Sequence, residues 1–197
     1  MSTRVTHPRV VPLIAQRWSP RSFDAATLPD EDLAVILEAA GLAPSAYNVQ
    51  PWRFIYARRE DAETFARFLE PLVEFNQSWA KDASVLLYVL SEETTASGDG
   101  ERRPNHSHSF DAGAAWALLS LQADALGYRA HAMTGVDFAK ARAVLNVPEG
   151  LRIEAAVALG RQAPAERLPD ALREREVVST RKPVSEIAFE GAYPASR

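Results

Sequence analysis

One segment restricts the possible folds more than any other. Residues 83–90 read Ala-Ser-Val-Leu-Leu-Tyr-Val-Leu, apolar at odd and even positions alike and rich in strand formers. Such a run predicts a central strand buried from both sides. Around it, Leu33, Ile36, Leu37 and Ala40 recur at helical spacing up to a stop at Gly41 and Pro44. Thr27 and Asp30 stand at capping-box spacing before that helix, with Pro29 in its first turn. A short strand is expected over 52–57, a polar helix from about 60 to 70, and a second buried strand over 153–159 closed by Gly160. Phe110, Ala114, Ala117, Leu118, Leu121 and Ala125 form one face of a helix whose opposite face carries Trp116 and Leu119. It is therefore buried nearly all round, and Gly113 permits close approach of another helix. Asp137 caps a further helix over 138–146, closed by Pro148. Helices and strands mix without regular alternation, which favours an α+β fold over a doubly wound sheet.

A chain of 197 residues with 47% hydrophobic side chains has enough apolar surface for the core of one domain. Residues 91–109 hold few apolar side chains and a Ser-Gly-Asp-Gly turn signal, and are expected to form a mobile surface loop or a lid. The tail from Gln162 to Arg197 is polar, yet scatters Val177, Val178, Val184, Ile187, Phe189 and Tyr193 along it, the pattern of an arm docked on a partner subunit. Net charge is −4, so no general attraction to nucleic acid or anionic membrane is expected. The longest apolar run, 85–90, is far below a membrane span, and the stretch 10–15 is interrupted by Pro12 and too short for a signal-peptide core. A cytoplasmic location is the expectation. The chain contains no cysteine, which removes thiolate nucleophiles and thiolate metal sites; redox chemistry here needs a cofactor.

Two polar segments stand out. Arg17, Ser19 and Arg21 fall within five residues, a set suited to a phosphate, although surface arginines alone would look the same. Residues 43–52 read Ala-Pro-Ser-Ala-Tyr-Asn-Val-Gln-Pro-Trp and hold amides and a hydroxyl between two prolines. That is either a rigid connection satisfying its own backbone or a surface that reads the polar edge of a heteroaromatic ring. Other chemistries have weaker support. Gly98 and Gly100 lie in a polar loop without a third glycine opening a helix, which argues against a dinucleotide fingerprint. His106 and His108 form a His-x-His pair with no acidic or histidine partner evident nearby, in a loop setting that favours solvent exposure over a metal, and no Gly-x-Ser-x-Gly is present. His131 reads as a satisfied structural histidine.

Taken together the segments resemble the nitroreductase family. Its Arg-x-Ser motif before a helix is matched by Arg17 and Ser19, with Trp18 between them. Its Ala-Pro-Ser-x-x-Asn-x-Gln-Pro-Trp stretch is matched by Ala43, Pro44, Ser45, Asn48, Gln50, Pro51 and Trp52. Asn76 matches the asparagine that binds the flavin pyrimidine edge, and Phe110 to Ala115 opens what would be the long central helix of the dimer. Met133, Thr134 and Gly135 fall on the turn whose backbone faces flavin N5 and O4, and Arg181 with Pro183 resembles the C-terminal Arg-x-Pro that returns to the phosphate. Three departures concern tuning: Trp79 replaces a common lysine, Ser179 a common basic residue, and Thr134 a common acid; Lys81 is nearby but not at the matching position.

The resemblance implies a mostly antiparallel or mixed sheet flanked by helices, in an intertwined homodimer that binds flavin mononucleotide (FMN) between two subunits. Residues 162–197 would wrap the partner. The implied activity is hydride transfer from transiently bound NAD(P)H through flavin N5 to a small acceptor such as a nitroaromatic, quinone or enal, with Thr134 and Gly135 near N5 and no catalytic side chain. Arg17, Ser19, Arg21 and Arg181 would take the phosphate. The alternative is a non-enzymatic FMN store or sensor with Trp79 or Tyr47 stacked permanently on the ring.

Overall fold

The computed structural model describes residues 4–96 and 100–194. A short helix α1 (Pro12–Gln16) and α2 (Asp30–Gly41) precede β1 (Trp52–Arg58), followed by α3 (Ala62–Leu69), α4 (Glu74–Ala80) and β2 (Val85–Glu92). Then come β3 (Thr94–Ala96), β4 (Arg102–Pro104), the long α5 (His108–Ala125), β5 (Arg129–Met133), α6 (Phe138–Val144), β6 (Leu151–Gly160) and α7 (Asp170–Arg173). The main sheet has the order β1-β2-β6-β5 with every pair antiparallel.

The run over 83–90 is the central strand β2 that its composition demands. Because side chains alternate across a strand, Leu86, Tyr88 and Leu90 enter one core while Val85, Leu87 and Val89 enter another. On the first face they meet Phe65 and Phe68 of α3, Trp79 of α4 and Ala141 of α6. On the second they meet Leu33 and Ile36 of α2 and Ala112, Ala115 and Leu119 of α5. Each leucine so buried contributes about 1.5–3 kcal/mol. The Tyr88 hydroxyl stays satisfied by donating to the Phe68 carbonyl at 2.9 Å, and burial holds the phenol above its usual pKa.

Local expectations fared unevenly. Asp137 caps α6 by accepting from the Lys140 N–H at 2.9 Å, and α3 is capped by Asp61 in the same way. The capping box at Thr27 and Asp30 does not form: Pro29 is the N-cap of α2 without a side-chain bond, and Asp30, Glu31 and Asp32 instead load its first turn with negative charge. The expected loop over 91–109 is largely structured. Its flanks pair as β3 and β4, and α5 already starts at His108; Ser97 to Asp99 of the turn signal lie outside the described residues. Sequence reading passed over α4 and β5 because both are short and lack a clean period.

The face of α5 read as apolar from Phe110, Ala114, Ala117 and Leu121 is not the one on the sheet. Ala112, Ala115, Leu119 and Ala123 are buried there, while Phe110, Gly113 and Ala117 are exposed, Phe110 by 82%. The tail also departs from expectation at its start. Gln162 bridges to Phe23, and Leu168 and Leu172 are buried in the chain's own core, so the tail is anchored to its own chain up to Leu172, and from Val177 onward no described residue is buried. Among the described residues no helix is long and apolar enough to cross a membrane.

Candidate functional site

Arg17 leaves α1 in extended conformation, φ −57° and ψ 129°. Arg17 donates to Ser19 Oγ at 3.2 Å, and Trp18 lines a cavity of about 600 Å³ with Arg4, Gln16, Arg129, Gln162 and Glu176. Two further arginines approach. Arg4 donates to the Arg17 carbonyl at 2.6 Å and, through Nε, to the Ser179 carbonyl at 3.0 Å, which fastens the N-terminal arm to the C-terminal one. Burial, then the charges of Arg4 and Arg181, hold the Arg17 pKa below its ordinary value. Arg4 is depressed by burial and by Arg181. Cations crowd this way only where something else determines their placement, and an anion bound between them would relieve the repulsion. No sequence signal marked Arg4 or Arg129, since each lies in a segment without pattern.

Arg21 behaves differently from expectation. Its backbone N–H and that of Ser22 donate to the Glu176 carboxylate at 2.8 and 2.9 Å, and its guanidinium turns toward the Arg175 carbonyl at 3.5 Å. Arg21 thus anchors the root of the tail, and its Nε is buried without a hydrogen-bond partner.

A second cluster forms where α4 meets the turn after β5. Asn76 Nδ2 donates to the Gly135 carbonyl at 3.1 Å, and the Val73 N–H donates to the same oxygen at 3.0 Å. The approach is so close that a Cβ on Gly135 would lie 2.5 Å from Asn76 Nδ2 and 2.9 Å from Val73 Cγ2. With its amide nitrogen committed, Asn76 keeps Oδ1 as an acceptor. Met133 is buried beside this turn and Thr134 is exposed.

His131 lies between the two clusters. Its Nδ1 donates to the Pro20 carbonyl at 2.9 Å, and its ring stacks obliquely on Trp79 with centroids 4.7 Å apart. Burial, reinforced by the charges of Arg21 and Arg17, pushes its pKa down to about 4, so the ring is neutral. Trp79 is enclosed between His131 and Phe23, which leaves it unable to cover a ligand from the open side.

Pro44, Ser45 and Asn48 stand apart from both clusters. They occupy the loop after α2, which is tied to α5 by the Ala46 N–H donating to Asp111 Oδ2 at 3.1 Å. Arg17, by contrast, feels the charge of Asp124 near the other end of α5. Asp124 lies thirteen residues along α5 from Asp111, about 20 Å at 1.5 Å per residue. Within one chain the loop and the arginines do not share a site.

The His-x-His pair does have an acidic neighbour in space. His108 Nδ1 lies 3.7 Å from Glu154, with Ser91 between them. Ser91 Oγ donates to Glu154 at 2.6 Å and so accepts from His108, an order in which the imidazole cannot take the serine proton as it does in a Ser-His-Asp triad. No group of metal-ligating side chains occurs among the described residues. A cavity of about 320 Å³ near Arg53 and Arg102 is lined by charges paired with Glu92.

Comparison with known proteins places these clusters in context. The Nitroreductase family model matches residues 14–161. A solved structure described as an oxidoreductase containing FMN superposes with a TM-score of 0.94 at 49% identity, over 98% of this chain and 97% of that one. A putative nitroreductase in complex with FMN, from Desulfovibrio desulfuricans, superposes with a TM-score of 0.72 at 27% identity, over 96% and 100% of the two chains. A Thermus thermophilus protein named NADH dehydrogenase is 33% identical over 186 residues, covering 78% of this chain and 89% of its own.

Proposed function

The chain belongs to the nitroreductase family, and from that premise we propose that it is an FMN-dependent oxidoreductase carrying hydride from NAD(P)H to a small organic acceptor as a homodimer. One observation carries the reading: Arg17, which donates to Ser19 Oγ, is held below its ordinary pKa by burial and then by the charges of Arg4 and Arg181, so that cations from both ends of the chain gather here. A phosphate dianion fits such a cradle. The Gly135 turn is held tightly against α4, since any side chain there would collide with Asn76 and Val73, and this fixes the Asn76 amide with Oδ1 left to accept. FMN offers a phosphate for the arginines and a donor for such an acceptor, and similar proteins are described as containing it.

When bound, FMN supplies two-electron hydride chemistry at N5, which no side chain of a cysteine-free chain supplies. The protein's part is placement. Arg17, Ser19 and Arg181, joined by Arg4, would hold the phosphate. Asn76 Oδ1 would accept from the pyrimidine edge because Nδ2 is committed to Gly135, and the Thr134 and Gly135 backbone would lie near N5 and O4. Trp79 is packed inside and neither caps the ring nor contributes charge.

The 20 Å separation along α5 supports the dimer. Helices related by a two-fold axis across their middles run antiparallel, so the first turn of one meets the last turn of the other. Ser45 and Asn48 of one copy then approach the arginine cluster of its partner. The exposed stripe Phe110, Gly113 and Ala117 is consistent with this contact, being apolar, slender and otherwise open to water.

The test is the absorbance spectrum of purified protein with FMN, followed by anaerobic NADH or NADPH, on wild type, Arg17→Ala and Arg181→Ala. Flavin bands that bleach in wild type, with substantially weaker FMN binding in both variants, are expected. Failure of wild type to bind FMN overturns the reading, and unchanged affinity in both variants removes the arginines from the site.

A further inference from the structure

Residues 45–50 adopt a conformation that their side chains resist. Tyr47, Asn48 and Gln50 have φ of 52°, 56° and 53°, in the left-handed region that glycine favours and a bulky residue avoids. Three such residues in four positions persist only where surrounding contacts over-determine them. Internal bonds close the loop on itself: the Asn48 N–H donates to the Ser45 carbonyl at 3.1 Å and the Gln50 N–H to Ser45 Oγ at 3.0 Å. Those bonds shape the loop but do not attach it to anything. Pro44, Tyr47, Asn48 and Gln50 are all exposed, Tyr47 completely at 101%.

At its C-terminal end the loop is attached to β1, where Arg53 donates to the Gln50 carbonyl at 2.9 Å, and at its N-terminal end to α5. Asp111 is a carboxylate only 3% exposed, and keeping one inside a fold is costly unless it is hydrogen-bonded. It accepts from the Ala46 N–H at 3.1 Å, at the first residue of the turn that leads into the left-handed stretch. The early turns of a helix favour negative charge, which helps α5 hold the group there. The loop is therefore strained, exposed and pinned at the same time.

We infer that Asp111 is a positioning residue that clamps the 45–50 loop to α5, so that the loop presents Ser45 and Asn48 in one fixed geometry to the cofactor of a second copy. The claim rests on the proposed function for its purpose, while the clamp itself is a property of the chain alone. Asp111 touches neither cofactor nor substrate and acts only through the loop.

The experiment uses the full-length protein as wild type, Asp111→Leu and Asp111→Asn, measuring amide hydrogen exchange over residues 46–50, FMN affinity by fluorescence titration, thermal midpoint and dimer content. Asp111→Leu is nearly isosteric but accepts no hydrogen bond; Asp111→Asn keeps the accepting oxygen. Expected for Asp111→Leu is faster exchange at 46–50 and FMN binding weaker by about tenfold or more, the scale of one lost buried hydrogen bond. Asp111→Asn should restore both to within a few-fold of wild type. Should Asp111→Leu fold poorly, Ala46→Pro deletes the donor and leaves the helix untouched, and the same two losses are expected. Unchanged exchange at 46–50 overturns the clamp, whatever happens to flavin. Faster exchange with unaltered FMN affinity shows a clamp without the inferred role and overturns the assignment. A wild type that exchanges slowly at 46–50 but binds no FMN also overturns that role, and the independent failure of the cofactor reading is then recorded by wild type alone.

Discussion

Acidification should destabilise this protein through His131 before most of its carboxylates are protonated. The ring is buried against Trp79, donates to the Pro20 carbonyl and stays neutral because its pKa is held near 4, whereas the unfolded chain takes up a proton near 6.5. Between those values the unfolded state binds more protons, so stability is complete above about pH 6.5 and falls as pH drops toward 4. The cost is roughly 2 kcal/mol at pH 5 and approaches about 3 kcal/mol below pH 4, since each tenfold difference in proton affinity between the two states is worth about 1.4 kcal/mol. His131→Asn keeps a donor for Pro20 but cannot titrate. It should be less stable than wild type at pH 7.5, having lost the ring contact, yet should lose less on acidification. Urea unfolding of flavin-free protein at fixed concentration, from pH 7.5 to 4.5, compares the two slopes directly. Parallel curves would refute the reasoning, because carboxylates common to both proteins would then account for the whole acid response.

Two further substitutions probe the surrounding geometry. Gly135→Ala drives a methyl group into Asn76 Nδ2 and Val73 Cγ2, so a loss of about 1–3 kcal/mol is expected in denaturant unfolding, with weaker FMN binding as the Asn76 contact is displaced. Glu176→Ala removes a carboxylate that accepts from Arg21 and Ser22 N–H groups at 2.8 and 2.9 Å; about 2 kcal/mol of stability should be lost and limited proteolysis beyond residue 177 should accelerate.

Much of this architecture was legible from local rules. The segment 83–90, apolar on both faces and rich in strand formers, pointed to a doubly covered strand, and β2 is that strand. Asp137 before a helical pattern capped its helix as a short acceptor must. Where a local rule competed with chain context the outcome changed: Thr27 lost the cap of α2 to Pro29, and the 91–109 segment found strand partners in its own flanks.

For the site, sequence motifs named Arg17, Ser19, Asn76 and Gly135 but not the distances among them. Motif identity is a property of consecutive residues. The convergence of Arg4 with Arg181, the capture of Arg21 by the tail through Glu176, and the clamp between Ala46 and Asp111 each join segments separated by many residues. Such contacts exist only after the sheet and its helices have brought those segments together, and no periodicity encodes them. The sequence by itself determined the central strand and the α+β class, because burial and turn chemistry act over a few residues, and its motifs carried the resemblance to the family. Only the tertiary structure decided that Ser45 and Asn48 lie about 20 Å along α5 from the arginines, since a rigid helix, at 1.5 Å per residue, sets that span.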